Sequence, residues 1–136
     1  MMAWVHAAVG AALGRIIGHE SKAFGAGVAS HAICDLIPHR DLKPQQEAPL
    51  LALAMGLIIW RKGLTSPEAI GAMGAVSPDT ENIAARVGLI PTSAMVFPTH
   101  QGPGTHGREV KSIVPQVALA AVCLAVALWP EKSSAK

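Results

Sequence analysis

The sequence predicts an all-α fold: a compact integral-membrane bundle of about four to five helices, carrying a Gly/Pro-rich functional loop. Three observations carry that expectation. Of the 136 residues, 51% are hydrophobic and 15% are charged, whereas an ordinary soluble domain is about one quarter charged. Five segments of apolar and small residues follow one another along the chain. Two of them, Pro49 to Trp60 and Ile113 to Trp129, offer no polar face to water, and a helix that is apolar all round is expected in a large core or in lipid. A chain of this length has room for one domain. Residues 1–136 are therefore read as a single membrane-embedded unit, with any site assembled from that unit or from a symmetric partner.

The first segment, Met1 to Gly18, is apolar except for His6 and Arg15. It lacks a basic region ahead of its apolar stretch and a persuasive cleavage site, so it reads as a helix of the mature protein. Gly10, Gly14 and Gly18 recur every four residues, which lines them along one face and lets a neighbouring backbone approach. His6 lies one step of four earlier on that stripe. The second segment, Ala23 to Ile37, repeats the interval with Gly27, His31 and Asp35. Pro38 removes a backbone donor and ends it, so His39 and Asp41 can fold back toward the same point.

The third segment, Pro49 to Trp60, has no charge and stops at Arg61-Lys62, with Trp60 at the headgroup level. The fourth opens on Thr65-Ser66-Pro67-Glu68, which combines N-cap residues, an early proline and a first-turn acid, and runs to Val76. Ser77 to Lys111 is rich in Gly, Pro and Thr. It is expected to be a functional loop or re-entrant region, since so long a structureless stretch is uncommon in a compact domain. The fifth segment closes on Trp129-Pro130. Spanning a bilayer takes about 20 apolar residues, and no segment offers a clean run of that length; the missing polar faces of the third and fifth decide for lipid.

Composition excludes other classes. The net charge of +2 is scattered among acids and apolar runs, so the basic stripe of a nucleic-acid binder is missing. Cys34 and Cys123 stand singly in apolar runs, which indicates buried, inert thiols rather than a zinc knuckle or a disulfide framework.

The chemistry-bearing residues converge on metal ligation. A His and a carboxylate at i, i+4 can hold one ion from one turn of helix, which is the spacing of His31 and Asp35. Ionisable residues in membrane segments are costly and functional by default. The plainer account is an intrahelical hydrogen bond with His39 and Asp41 solvated. His6 alone would read as a packing histidine bonded to a carbonyl, and Asp79 as a first-turn acid favoured by the helix dipole. In the glycine-rich loop, His100 and His106 each follow a threonine, and backbone freedom there lets both imidazoles reach one ion.

The string Ser30-His31-Ala32-Ile33-Cys34-Asp35-Leu36-Ile37-Pro38-His39-Arg40-Asp41, with His6 before it and Gly74-Ala75-Val76-Ser77-Pro78-Asp79 after it, resembles the small inner-membrane metal-dependent hydrolases of bacteria. The likeness extends over roughly two thirds of the chain. It implies a multi-helix fold in the bacterial inner membrane, with metal ligands at His31, Asp35, His39, Asp79 and the loop histidines. The loop departs from the His-Arg-Gly-x-Thr-His pattern of such proteins: Gln101 follows His100, and one extra residue precedes Thr105-His106.

These readings describe a metal-assisted hydrolase. The metal set is His6, His31, Asp35, His39, His100 and His106, holding one or two divalent ions, with Asp79 or Asp41 as base or bridging ligand. Mixed imidazole and carboxylate donors suit zinc first, then manganese or iron, better than calcium. The expected substrate is a lipid or lipid-linked ester or phosphoester, membrane lipid is the expected partner, homo-oligomerisation is open, and nucleic acid is not expected. The rival is a noncatalytic membrane protein that binds or conducts a metal ion or proton through the same residues. A third reading is a helix-packing protein without a site.

Overall fold

The computed structural model describes residues 1–97 and 107–130. Among them the chain forms five α-helices: α1 (Ala3–Ile17), α2 (Glu20–Leu36), α3 (Pro44–Lys62), α4 (Pro67–Arg86) and α5 (Val114–Leu128). A 3-10 turn covers Thr92–Ala94. Among the described residues there is no strand, only an isolated parallel bridge between His39 and Glu109.

The glycine faces decide the packing. α4 lies along both α1 and α2, and α5 covers α1. A Cβ at Gly10 would strike the Gly71 carbonyl, and one at Gly14 the backbone of Pro67 and Glu68. On α2, a Cβ at Gly27 would meet Gly71 and Ala75, while Gly74 of α4 abuts the Phe24 backbone. Close approach of this kind needs residues without side chains, as the four-residue spacing anticipates. Gly18 is different: it takes a left-handed φ of 65° as the C-cap of α1, bonded to Gly14 O, and its missing Cβ faces open space. It turns the chain into α2 and packs against nothing. Away from the site, the buried Glu68 ties α4 to α1 and α3 through Arg15 at 3.3 Å and Lys62 at 3.7 Å.

Two expectations are corrected. No helix among the described residues is long and apolar enough to cross a membrane, which overturns the integral-membrane fold, the transmembrane-helix reading and the inner-membrane location. α5, with 15 residues, is about 22 Å long, short of a hydrocarbon core of about 30 Å. α3 is longer but opens with Gln45, Gln46 and Glu47, and α4 carries Glu68, Asp79, Glu81 and Arg86. α3 and α5 do turn apolar side chains outward, among them Leu53, Trp60 and Val122.

The second correction concerns the stretch expected to be a loop from Ser77. α4 runs on to Arg86, with Pro78 inside it. Proline leaves the carbonyl four residues earlier without its helical donor. Here that carbonyl is Gly74 O, and the Ser77 hydroxyl donates to it at 2.8 Å. The local repair lets the helix continue and carries Asp79 on a rigid element.

Candidate metal centre

Three helices and one turn deliver the ionisable groups. α1 supplies His6, the last turns of α2 supply His31 and Asp35, and α4 supplies Asp79 just past Pro78. The His6 and His31 rings stack with centroids 4.0 Å apart and planes at 23°. Asp35 stands between them: Oδ1 lies 3.0 Å from His6 Nε2 and Oδ2 lies 3.2 Å from His31 Nε2. Asp79 Oδ1 is 3.9 Å from His31 Nε2. His6, His31 and Asp35 are sealed from solvent, while Asp79 keeps 21% of its side chain exposed.

A second group adjoins the first through the same carboxylate. The α-amine of Met1 donates to Asp35 Oδ1 at 2.6 Å and lies 2.7 Å from His39 Nε2 and 3.4 Å from Asp41 Oδ1. His39 Nε2 is 3.4 Å from Asp41 Oδ1, and Asp41 is half exposed. Gln116 holds this region in place, accepting from Met2 N at 3.2 Å and donating to Arg40 O at 2.8 Å. The returning chain runs beside it: Gly107 N donates to Asp35 O, His39 N to Arg108 O, and Val110 N to His39 O. His100 and His106 lie outside the described residues.

The tautomers follow from the backbone. A carbonyl oxygen only accepts, so His31 Nδ1, 2.8 Å from Ala75 O, carries the hydrogen, as does His39 Nδ1, 2.7 Å from Ile37 O. In a neutral ring the Nε2 is then a lone pair. At His39 that lone pair meets the Met1 ammonium. At His31 it faces carboxylate oxygens of Asp35 and Asp79, and lone pairs so placed need a proton or a cation between them. Burial pulls the His31 pKa down, but the hydrogen bond to Asp35 and the charges of Asp79 and Asp35 outweigh it, leaving the group raised. Burial pushes His6 down, against its bond to Asp35. Burial works against the Asp35 carboxylate, yet bonds from His31, His6 and the Met1 amine hold it well below the usual range. Cys34 and Cys123 are free thiols, raised by burial.

This donor set fits a divalent ion. One ligand atom each from His6, His31 and Asp79 lies within 4.8 Å of the others, against ~3.4 Å for the edge of a tetrahedron of ~2.1 Å bonds, so small inward rotations would close the set. The Nδ1 hydrogens of His31 and His39 are committed to carbonyls, the outer-shell bond that orients a ligating imidazole. His6 Nδ1 is buried with no hydrogen-bond partner among the described residues, and such orphans call for an explanation such as an ion.

Of the residues singled out from sequence, His6, His31, Asp35 and Asp79 gather at one point, and His39 and Asp41 gather beside them around the Met1 amine. Sequence reasoning missed that amine and the bracing role of Gln116, although Gln116 is the one polar residue of its segment. Searches of protein-family models, curated proteins and solved structures return no match to this chain.

Proposed function

We propose that the cluster holds one or two divalent ions and that the protein hydrolyses an ester or phosphoester bearing an apolar tail. The observation that carries the reading is the pairing of carbonyl-capped histidines with carboxylates around His31, together with Asp79, which keeps partial access to solvent. His6, His31 and Asp79 would hold the ion, with Asp35 bracing both rings or bridging to a second position at His39 and Asp41. Zinc suits these donors, with manganese or iron as alternatives. When bound, such an ion supplies a Lewis acid that brings the pKa of water toward neutrality. Asp79, open to solvent, accepts the proton of the attacking water. The water oxygen bonds to the carbonyl carbon or phosphorus, the bond to the alcohol oxygen breaks, and the alcohol leaves protonated. The likeness of the Ser30 to Asp41 string to bacterial metal-dependent hydrolases supports the same reading.

The test is metal analysis with turnover of p-nitrophenyl esters and phosphoesters. His31→Ala should reduce bound metal from stoichiometric to background. Asp79→Asn should lower turnover by about 100-fold or more, the usual contribution of a general base, and should weaken metal binding without abolishing it, since His6, His31 and Asp35 remain. Metal retained by His31→Ala would sink the ligand assignment. A metal-loaded wild type without turnover would favour a noncatalytic metal-binding protein.

A further inference from the structure

A cavity of about 450 Å³ opens directly beside the cluster, within the usual range for small-ligand sites. Asp41 and Asp79, which approach His39 and His31 of the cluster, line it together with Glu47. Along α4, Asn82, Ile83 and Arg86 also line it; with Asp79 they fall at i, i+3, i+4 and i+7, which is one helical face. Leu42, Ala48 and Leu51 form the apolar wall. Arg86 makes no ion pair among the described residues, and it lines a cavity that three carboxylates also line.

We infer that Arg86 receives the anionic oxygens of a phosphoester whose aliphatic tail lies along Leu42, Ala48 and Leu51, so that phosphoesters rather than carboxylic esters are the substrate class. This rests on the metal-hydrolase reading of the adjoining cluster. The charge argument selects between the two classes. A carboxylic ester is neutral and gives a guanidinium nothing to pair with. A phosphodiester is anionic at neutral pH and matches the two-pronged guanidinium. Near Asp41 and Asp79 an anion needs such a counter-charge in addition to any metal. The spacing suits one phosphoryl group: Arg86 lies about 10 Å of helix rise beyond Asp79, and helical side chains lean toward the N-terminus, back toward Asp79.

The experiment is calorimetric titration of n-octyl phosphate and inorganic phosphate into the full chain loaded with Mn²⁺, for wild type, Arg86→Gln and Arg86→Lys. It is paired with turnover of p-nitrophenyl hexyl phosphate and p-nitrophenyl hexanoate. Octyl phosphate should bind more tightly than phosphate. Arg86→Gln should weaken octyl phosphate by roughly 10- to 100-fold, the scale of one charge-assisted hydrogen bond, with metal content and melting temperature unchanged, and Arg86→Lys should recover part of the loss. On turnover, Arg86→Gln should depress the phosphoester and leave the carboxylic ester within about threefold. Binding of octyl phosphate equal in wild type and Arg86→Gln, or absent from wild type, overturns the inference. Turnover of the carboxylic ester alone does the same while leaving the hydrolase reading intact. Binding that depends on Arg86 without turnover of either ester removes the hydrolase reading and keeps the anion site.

Discussion

The two halves of the cluster share one carboxylate and little else. On the inner side His6, His31 and Asp35 come from the first turn of α1 and the last turns of α2 where these helices pack, the two histidine rings stack, and water is excluded. On the outer side His39 and Asp41 sit in the turn between α2 and α3, held by Gln116, by the returning chain at Arg108 to Val110 and by the Met1 amine. The inner half is thus fixed by the same packing that stabilises the bundle, and the outer half by a few hydrogen bonds that the bundle does not require. Damage to the first should appear as lost folding, and damage to the second as lost site geometry.

The largest contrast is between two aspartates. Asp35→Ala strips His6, His31 and the Met1 amine of their shared acceptor and should cost about 3–5 kcal/mol, as breaking a buried charged pair does. Asp41→Ala, at a half-exposed position, should cost no more than about 0.5 kcal/mol. Urea unfolding of both variants measures the difference, and equal losses would erase the distinction between the halves. Next comes a pair of glycines on α2. Gly27, one turn before His31, touches α4 backbone, so Gly27→Ala should cost about 1–3 kcal/mol by overpacking and spread the His31 to Asp79 gap. Gly25 faces open space, so Gly25→Ala should stabilise by about 0.5–1 kcal/mol through helix propensity. Thermal melts of the two should move in opposite directions. The smallest effect belongs to Gln116→Leu, which leaves Met2 N and Arg40 O without their side-chain partner and should cost about 1 kcal/mol. Its signature is shifted resonances of His39 with those of His6 and His31 unchanged; a general disturbance would show that the halves are mechanically one.

The same division explains what could be read from the chain alone. Gly10 and Gly14, four apart on α1, and Gly27, four before His31 on α2, announce the α1, α2 and α4 contacts, because a small-residue face has few uses other than close backbone approach. His6, His31 and Asp35 lie on those faces, so the inner half was legible with them. The membrane reading failed because the missing polar faces were set above the short apolar runs: α1 and α5 have 15 residues each, and α3 is polar at both ends. Pro78 concealed the rest. A proline after a serine reads as a stop, and only the Ser77 to Gly74 bond shows why the helix passes through it. With α4 cut short there, the shared face of Asp79, Asn82 and Arg86 was invisible, and the Met1 amine has no sequence signal at all.

That repaired proline makes α4 a measuring rod. From Ser77 to Arg86 the spacing between the acid and the guanidinium that line the cavity is set by helical phase rather than by a loop free to adjust. Removing one residue between Thr80 and Ala85 would turn Arg86 by about 100° and carry it off the cavity face, while Asp79 and the inner half stayed where they are. Substitution along this stretch therefore adjusts the cavity lining, whereas a change in its length exchanges one ligand preference for another in a single step.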